Sequence, residues 1–300
     1  MKEKEFINII KSTLNSGLIG DDCAYLKDLG ITITQDSLIE DIHFKTDFAT
    51  PFQLGWKSAA VNISDICASG AEPKYLTIAL SLPSSISGEF VEEFYKGVKA
   101  VSRGVEVVGG DITGSDKIFI SVTAIGKSEG RRISSRKSAK IGHKIIVSGE
   151  HGASGAGLRL LIGKQREPEK FITAHLMPTP QDEFSKQIAQ NIKEDYAMMD
   201  TSDGLIDALS QISDASGVNL FIDFEKIPFD KDLKIFRDYK DLIFFGGEDY
   251  QLVATVPEEI AENFTVIGEV REGSGVTVKT GDLVEEFSKE DVEKKLFNHF

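Results

Sequence analysis

Short β-type runs alternate with amphipathic helical stripes along this chain, and that alternation restricts its fold more than any other feature of the sequence. In the first half, the runs ITIT (31–34) and YLTIALSL (75–82) flank residues 51–69, where apolar side chains recur at helical spacing. In the second half, β-type runs at 218–223 and 264–270 accompany further helical stripes. Because strands and helices are mixed in both halves, the sequence predicts an α/β or α+β protein built in two layers.

The stretch GKSEGRRISSRKSAKIGH (126–143) is polar and basic, and it interrupts both patterns. Since 300 residues suffice for one large or two medium domains, we predict a boundary here, with domains at 1–138 and 139–300. The charge run RRISSRK (131–137) is read most simply as a solvated linker. Arg136 has a second interpretation, because a guanidinium in an acidic chain is suited to bind phosphate.

The chain is strongly acidic, with 34 Lys and Arg against 48 Asp and Glu and a net charge of −14. This excess argues against nucleic acid and anionic membranes as partners, because both require a basic surface. If the ligand is anionic, bound divalent metal is the expected source of positive charge. Cys23 and Cys67 are too few for a disulfide framework or a cysteine-based zinc site. With no signal peptide at the N-terminus and no apolar run near the ~20 residues that span a bilayer, the expected location is the cytoplasm.

Aspartates at predicted breaks in structure carry the main chemical signal. The candidates are Asp21 and Asp22 after Gly20, Asp36 at the end of ITITQD, Asp111 after Gly109 and Gly110, and Asp200 and Asp203 around Thr201 and Ser202. Carboxylates at strand ends and turns can converge on one cleft, and their hard oxygen atoms suit Mg²⁺. Aspartate is also a common turn and N-cap residue, so Asp203, just ahead of a helix, can equally be a cap.

A polar stripe on the helix predicted at 51–69 adds a further candidate. Ser58, Asn62, Asp65 and Ser69 lie at spacings of four, three and four residues, so they share one face opposite the apolar stripe. Such a face meets either solvent or a ligand. The small size of all four side chains favours a ligand, because a solvated helical face more often carries Lys and Glu.

Three glycine-rich segments need separate interpretations. GEHGASGAGLRL (149–160) lacks the Lys-Ser/Thr of a phosphate-binding loop, so we interpret its glycines as providing a tight turn and close helix packing. GGD (109–111) and FGGEDY (245–250) each follow a β-type run, and their carboxylates are expected at strand ends. Taken alone, Glu248 and Asp249 read as a solvent-facing turn.

In this order along the chain, the motifs resemble those of the thiamine-monophosphate kinases, a family within the superfamily typified by aminoimidazole ribonucleotide synthetase. The matching segments are GDDCA (20–24), TQDSLIEDIHF (34–44), KSAAVNISDICASGAEPKYLTIALSLP (57–83), GGDIT (109–113), the region of Arg136, MDTSDGL (199–205) and FGGEDYQL (245–252). Two relatives fit less well. A selenophosphate synthetase would carry a reactive Cys or selenocysteine near its N-terminus, and the related hydrogenase-maturation protein would end in Cys, whereas this sequence ends Asn298-His299-Phe300.

The resemblance implies an α/β (α+β) fold of two domains. Residues 1–138 would bind ATP and Mg²⁺ and form a half-barrel that pairs with its twin in a homodimer, and residues 139–300 would form a C-terminal α/β domain. The implied reaction is in-line transfer of the ATP γ-phosphate to thiamine monophosphate, giving thiamine diphosphate and ADP, the last step of thiamine diphosphate biosynthesis. Several Mg²⁺ ions would take part.

The resemblance also implies roles for individual residues. The metal ligands would be Asp22, Thr34, Gln35, Asp36, Asp65, Asp111, Asp200 and Asp203. ATP would contact Gly110, Asp111, Arg136 and Ser202. The thiamine moiety would contact His43, Glu248 and an aromatic residue near the C-terminus, Phe297 or, as the alternative, Phe287. Thr34-Gln35-Asp36 stands where the family usually has Ser-Thr-Asp, so the main-chain or amide oxygen of Gln35 would have to serve.

The chemistry of this reaction agrees with the composition. A phosphomonoester has a second pKa near ~6, so the acceptor is mostly dianionic at neutral pH and needs no general base. Two polyanions must approach each other, which suits a carboxylate-rich site that holds Mg²⁺. Three other functions would use the same aspartates: a synthetase that phosphorylates a carbonyl or amide oxygen, a Mg²⁺-dependent phosphohydrolase, and a nucleotide- or metal-binding module without catalysis.

Overall fold

The computed structural model describes residues 3–295, in which helices and strands alternate through both halves of the chain. The helices are α1 (Glu3–Leu14), α2 (Pro51–Ala68), α3 (Gly88–Val101), α4 (Ala153–Ile162), α5 (Glu169–Leu176), α6 (Asp182–Asn191), α7 (Leu205–Ser216), α8 (Tyr239–Phe245), α9 (Glu258–Ala261) and α10 (Lys289–Glu293). The strands are β1 (Ala24–Leu26), β2 (Ile31–Ile39), β3 (Glu72–Leu82), β4 (Glu106–Gly114), β5 (Phe119–Lys127), β6 (Lys144–Val147), β7 (Ala197–Asp200), β8 (Asn219–Asp223), β9 (Leu252–Val256), β10 (Thr265–Arg271), β11 (Val276–Thr280) and β12 (Leu283–Phe287).

A five-stranded sheet organises the first half of the chain. Its strand order is β1-β2-β5-β3-β4, with β3 and β4 parallel and the other neighbours antiparallel. α2 lies against β2, β3 and β5, and α3 packs on α2. The two helices approach closely at Gly55, where a Cβ atom would lie 1.8 Å from the carbonyl oxygen of Phe94. β4 is an edge strand, and it is exposed along its whole length.

α2 is buried on nearly all sides because it lies between the two halves of the chain. Thr50 begins it as an N-cap, and Gln53 completes a capping box. One side of the helix packs on the first sheet, and other parts of it contact β7, α5 and α6. Ser58 and Asn62 are each 1% exposed, so the polar stripe of α2 faces the interior and does not meet solvent. The solvated interpretation of the stripe is therefore wrong, and the ligand-facing one stays a prediction.

A seven-stranded mixed sheet organises the second half. Its strand order is β12-β11-β8-β10-β6-β9-β7, with β8 and β11 parallel and the other neighbours antiparallel. α7 contacts four of these strands, and α4 packs against α5. Residues 128–143 connect β5 to β6, and a short 3₁₀ turn at Arg136–Ser138 within them contacts α7 and β7. The connection is therefore packed on the core.

The structure corrects three of the predicted boundaries. β2 extends to Ile39, so Asp36 lies within a strand and not at its end. The GGD segment also lies within a strand, β4. Gly110 is required there, since a Cβ on it would lie 1.8 Å from the carbonyl oxygen of Ile78. The apolar run before FGGEDY forms α8, since a short apolar run does not distinguish a helix from a strand. The sequence analysis also missed α5, α6, β11 and β12.

The glycine-rich segment at 149–160 has the structural role predicted for it. Gly152 has a φ of 93°, and a Cβ on Gly157 would lie 2.0 Å from the carbonyl oxygen of Phe171. The N-terminus of α4 is occupied by Asp249, whose carboxylate accepts hydrogen bonds from the backbone N–H groups of Gly152 (2.5 Å) and Ser154 (2.8 Å). This carboxylate satisfies the N–H groups that a phosphate would otherwise bind. Asp249 is thus a buried cap and not part of a solvent-facing turn.

Across residues 3–295, no helix has both the length and the apolar character that crossing a bilayer demands.

Candidate active site

Three carboxylates converge where the two halves of the chain meet. Asp22 lies in the loop before β1, Asp65 lies on α2, and Asp200 ends β7. Each offers one carboxylate oxygen, and these three atoms lie within 4.8 Å of one another. We call these three residues the acidic cluster. Hard anionic oxygen atoms at this spacing form a site that a divalent cation fits.

Burial raises the pKa of every member of the acidic cluster, and repulsion by other members raises it further at Asp65 and Asp200. Burial is the largest cause at Asp200, followed by the charge of Asp22, and together they raise the pKa of Asp200 to about 7. The pKa of Asp65 is raised well above its usual range by burial and then by the charges of Asp36 and Asp200. At Asp22, burial raises the pKa, while Arg136 opposes the shift. Like charges held this closely require either protons or a cation.

Two hydroxyl groups fix the orientation of the cluster carboxylates. Thr34 Oγ1 donates a hydrogen bond of 2.6 Å to Asp65 Oδ2. Ser64 Oγ donates one of 2.6 Å to Asp200 Oδ2, which ties α2 to β7 across the two halves. Thr34 is a predicted site residue that the structure brings to the cluster. Ser64 was missed, because nothing in its sequence context distinguishes it from other small helical residues.

Arg136 lies at the edge of the acidic cluster. Its Nη2 donates to Asp22 Oδ1 at 2.8 Å, and its Nη1 donates to Gln211 Oε1 at 2.6 Å. Its backbone N–H also donates to Asp21 Oδ1 at 2.8 Å, so both the main chain and the side chain hold it in place. The basic run is therefore not a solvated linker at this position. Gln211 of α7 was missed, since its role depends on the packing of α7 against the connection.

Alternation along β2 separates the predicted ligands of that strand. Thr34 faces α2, and the backbone N–H of Asp36 donates to Asn62 Oδ1 of that helix at 2.9 Å. The side chain of Gln35 points to the opposite face, where it bonds with Ser121 (3.1 Å) and Thr123 (3.2 Å) of β5. The side-chain amide of Gln35 is thus directed away from the acidic cluster, and its main-chain oxygen is the group left to serve as a ligand.

Asp111 and Gly110 lie on β4, at a distance from the acidic cluster. In the sheet order, β5 and β3 stand between β2 and β4. Three strand spacings correspond to about 14 Å, so one metal ion does not bridge Asp36 and Asp111. The side chain of Asp111 is exposed. An extended polyphosphate with more than one cation is the kind of ligand that spans such a distance.

The loop after β7 joins the acidic cluster to the FGGEDY segment. The backbone N–H of Glu248 donates to the carbonyl oxygen of Ser202 at 2.7 Å. Asp203 is exposed, and the N-cap of α7 is Gly204 without a side-chain cap. Asp203 is therefore not the N-cap residue of α7. Of the predicted residues here, Asp200 belongs to the acidic cluster, whereas Ser202 and Asp203 lie beside it.

A second polar cluster surrounds Glu248, and we call it the glutamate cluster: Lys57, Ser154, His175 and Glu248. Lys57 Nζ donates to Glu248 Oε2 at 3.0 Å, and His175 Nδ1 lies 3.3 Å from the same oxygen. Ser154 Oγ lies 3.0 Å from His175 Nδ1. His43 Nδ1 accepts a hydrogen bond from the backbone N–H of Ile39 at 3.0 Å. Burial would raise the pKa of Glu248, but Lys57, then His175 and last His43 lower it. The two predicted substrate residues, His43 and Glu248, thus face one region.

Sequence reasoning missed Lys57 and His175. Lys57 lies on α2 outside the polar stripe predicted there, and His175 lies on α5, a helix that the sequence analysis did not identify. Of the two aromatic candidates, Phe287 is 4% exposed and packs against Phe244 and Phe245, with centroids 6.3 and 5.8 Å apart. Phe287 is thus a core residue. Phe297 lies outside the described residues.

Comparison with known proteins identifies the class to which this fold and site belong. Residues 20–128 match the N-terminal domain of AIR synthase related proteins, and residues 140–281 match the C-terminal domain of the same class. The chain is thus a two-domain AIR synthase related protein, and the predicted α/β fold is confirmed. A solved HypE–HypF complex has a chain 22% identical to this one with a TM-score of 0.80 over 94% of this chain, which shows the shared fold alone.

More similar relatives narrow the class. The thiamine-monophosphate kinase of Aquifex aeolicus (strain VF5) is 40% identical over 288 residues, covering 91% of this chain and 92% of that protein. The thiamine-monophosphate kinase of Bacillus subtilis (strain 168) is 34% identical, covering 94% and 93%. A solved structure described as AaThiL complexed with AMPPCP and TMP is 37% identical, with a TM-score of 0.87 over 100% of this chain and 97% of that one. The chain belongs to the thiamine-monophosphate kinase family.

Proposed function

We propose that this chain transfers the γ-phosphoryl group of ATP to thiamine monophosphate, forming thiamine diphosphate and ADP. The observation that carries this proposal is the presence of two chemically different subsites on α2. Asp65 of that helix belongs to the acidic cluster, and Lys57 of the same helix holds Glu248. Phosphates with their cations suit the first subsite, and an amine or a cationic ring suits the second. The relative complexed with AMPPCP and TMP supports this pairing of ligands.

Mg²⁺ would be held by the acidic cluster, whose residues fit the ion. Asp22, Asp65 and Asp200 supply converging anionic oxygen atoms, and burial makes their mutual repulsion costly until a cation is bound. The other proposed ligands surround this core or extend from it; they are Thr34, Gln35 through its main chain, Asp36, Asp111 and Asp203. A bound Mg²⁺ would supply the positive charge that neutralises phosphate oxygens and polarises the transferred group.

The residues of the chain would position the two substrates and would not accept a proton. The acceptor phosphate is already dianionic above its second pKa near ~6, so no general base is required. Arg136, held by Asp22 and Gln211, would present its guanidinium to the ATP phosphates. Gly110 on β4 would contact ATP through its backbone, with Asp111 and Ser202 as further contacts. His43, Glu248 and Phe297 would contact the thiamine moiety.

Product analysis by chromatography tests the proposed function directly. The purified chain is incubated with ATP and thiamine monophosphate in Mg²⁺ or in EDTA, and free thiamine serves as the comparison acceptor. We expect thiamine diphosphate and ADP to form together, only with Mg²⁺ and only from the monophosphate. ADP and free phosphate without the diphosphate would indicate a hydrolase, or a synthetase acting on another acceptor. No turnover with any of these substrates would contradict the proposal.

The free energy of unfolding in EDTA is expected to fall as pH rises from about 5 to about 8. Asp200 has a pKa of about 7 in the folded chain and an ordinary value of 3.8, so between these values the folded state binds protons that the unfolded state releases. The stabilisation by protonation is present near the lower value and is lost as pH rises through the higher one. Mg²⁺ replaces those protons, so it should raise the melting temperature more at about pH 8 than at about pH 5.5.

The measurement is thermal unfolding at both pH values, with Mg²⁺ and with EDTA. An Asp200→Asn variant should show a weaker dependence on pH, because the titrating carboxyl group is absent. Asp282→Asn, which changes an exposed turn residue between β11 and β12, is the matched control and should behave as the parent does. A Mg²⁺ effect of equal size at both pH values would contradict the metal assignment.

We further propose that the chain forms a homodimer through β4. This edge strand carries unpaired backbone groups together with Val108 and Ile112, which are 53% and 66% exposed. Pairing two such edges would cover both features and would place Gly110 and Asp111 beside the partner subunit. Ile112→Glu should shift the molar mass measured by light scattering from that of a dimer to that of a monomer. Ile162→Glu, at an equally exposed position at the end of α4, should leave the parental mass unchanged.

The remaining parts of the proposal concern location and excluded partners. We propose a cytoplasmic protein that binds neither nucleic acid nor membrane. The net charge of −14 supports the exclusion of both polyanionic partners. Cys23 and Cys67 are free and buried, which agrees with a reducing compartment.

A further inference from the structure

Within the glutamate cluster, the two carboxylate oxygens of Glu248 differ in their contacts with the protein. Oε2 accepts from Lys57 Nζ at 3.0 Å and lies 3.3 Å from His175 Nδ1. Among the described residues, Oε1 has no hydrogen-bond partner, and the Glu248 side chain is 26% exposed. Lys57 and His175 are 3% and 5% exposed, so the groups that hold Oε2 are themselves fixed by burial. With Oε2 held in this way, Oε1 is the oxygen of Glu248 that remains available to a ligand.

The charge states in the glutamate cluster suit this arrangement. Burial alone would raise the pKa of Glu248, but the charge of Lys57 and then the neighbouring His175 bring it below its ordinary value, so the carboxylate is ionised at neutral pH. Burial and the charge of Lys57 lower the pKa of His175 to about 3, so its imidazole is neutral. We assign the imidazole proton to Nδ1, because a lone pair there would face the Glu248 carboxylate.

The backbone at Glu248 is held in an uncommon conformation. Its φ is 65°, in the left-handed region that non-glycine residues seldom occupy. The backbone N–H of Glu248 donates to Ser202, and the next residue, Asp249, caps α4. Strain of this kind persists where surrounding contacts over-determine the conformation, and it concentrates at ligand sites. Contacts to the main chain and contacts to the carboxylate thus both fix the direction of the Glu248 side chain.

We propose that Lys57 and His175 are positioning residues that turn Oε1 of Glu248 toward the aminopyrimidine end of the acceptor and so determine its selection. This inference rests on the proposed function, since it concerns the acceptor subsite of that reaction. Oε1, an ionised acceptor with no other partner within residues 3–295, prefers a molecule that presents an amino group there over one that presents a carbonyl. The two positioning residues contribute without touching the substrate.

Two substitutions at one position separate positioning from general stability. In His175→Asn the side-chain amide can take the place of Nδ1–H, whereas in His175→Gln it reaches the place of Nε2 instead. We expect His175→Asn to keep the KM for thiamine monophosphate within about 3-fold of the parental value. His175→Gln should raise that KM by about 10-fold, the equivalent of one charge-assisted hydrogen bond. The KM for ATP and the kcat at saturation should change by less than about 2-fold in both, because interactions made equally in ground and transition states affect KM alone.

Lys57→Met tests the other positioning residue. The single variant leaves the charge of Glu248 unpaired in a largely buried cluster. It is therefore compared with the double variant Lys57→Met, Glu248→Gln, which removes both charges and retains the volume. Both should raise the KM for thiamine monophosphate by about 10-fold or more.

An acceptor analogue supplies a measurement that a purely structural role would not change. In this analogue a carbonyl replaces the pyrimidine amino group of thiamine monophosphate. The parent should discriminate against it by about 10-fold or more in kcat/KM, and the preference should shrink in His175→Gln and Lys57→Met. Equal effects of His175→Asn and His175→Gln, or an unchanged preference in all variants, would overturn the proposal.

Calorimetric binding of thiamine monophosphate without ATP separates this inference from the proposed function. If the parent binds the acceptor and His175→Gln weakens binding as expected, the positioning role holds even where no diphosphate is formed. If the parent forms diphosphate while all variants bind the acceptor as the parent does, the function stands and the positioning role is overturned. If the parent neither binds nor phosphorylates thiamine monophosphate, both are overturned.

Discussion

Replacement of Asp65 by Asn is expected to lower kcat by roughly 10³-fold or more while leaving the folded chain at least as stable as the parent. A carboxamide is a poor ligand for Mg²⁺, and losing several kcal/mol of charge stabilisation in the transition state has an effect of this size. Stability should not suffer, because the charges of Asp36, Asp200 and Asp22 all disfavour an ionised Asp65. The carbonyl oxygen of Asn can still accept the hydrogen bond from Thr34.

Steady-state kinetics and thermal unfolding in EDTA check this expectation together. The matched control is again the exposed Asp282→Asn, which removes the same charge far from the acidic cluster and should retain parental activity. A second control, Asp65→Ala, would also lose activity but would leave Thr34 Oγ1 without its acceptor. An Asp65→Asn chain that unfolds, or one that remains fully active, would show that this carboxylate is not a metal ligand.

Replacement of Arg136 by Met is expected to destabilise the chain by about 3 kcal/mol in EDTA and by clearly less in Mg²⁺. Arg136 and Asp22 pair at 2.8 Å with side chains only 19% and 6% exposed, so removing the guanidinium leaves a buried carboxylate without a counter-charge. Breaking such a pair costs about 3–5 kcal/mol, and a cation bound to Asp22 would replace the missing charge. The KM for ATP should rise as well, because the proposed phosphate contact is lost.

Urea unfolding with and without Mg²⁺ measures the first effect, and initial rates at varied ATP measure the second. Arg132→Met is the matched control in the same connection, since Arg132 pairs with Asp195 while both side chains are well exposed, 40% and 73%. Such a surface pair contributes only about 0–1 kcal/mol, with no dependence on Mg²⁺. If Arg136→Met lost the same stability in both conditions, Asp22 would not share its charge between the arginine and a metal.

The acidic cluster was largely predictable. Aspartates that recur beside glycines and on a helical stripe of small residues are difficult to explain by a structural role alone. Asp22, Asp65 and Asp200 indeed converge, although they come from three separate segments. Side chains alternate between the two faces of a strand, so the sequence of β2 also predicts that Thr34 and Gln35 point to opposite faces. The family pattern makes Gln35 a candidate ligand, whereas the alternation along β2 turns its side chain away from the cluster. The observed side chain agrees with the alternation.

What the sequence did not show depends on contacts between distant segments. Lys57 pairs with Glu248 over a separation of 191 residues, and no local pattern indicates that pairing. His175 belongs to α5, a helix of only eight residues, which is too short for an apolar pattern to identify it. The strand predicted before FGGEDY is a helix for a related reason: a run such as LIFF is apolar throughout, and only its packing against α4 and α7 decides its conformation.

α2 also separates the two subsites by a fixed distance. Lys57 and Asp65 are eight positions apart on one continuous helix, which corresponds to about 12 Å of rise along its axis. Because the same helix packs against both halves of the chain, small shifts of one half relative to the other leave this separation unchanged. The helix is therefore a molecular ruler. In the proposed reaction it would admit acceptors whose phosphate and amino ends are set that far apart, and a phosphate ester with a shorter or longer spacer would reach only one end of it.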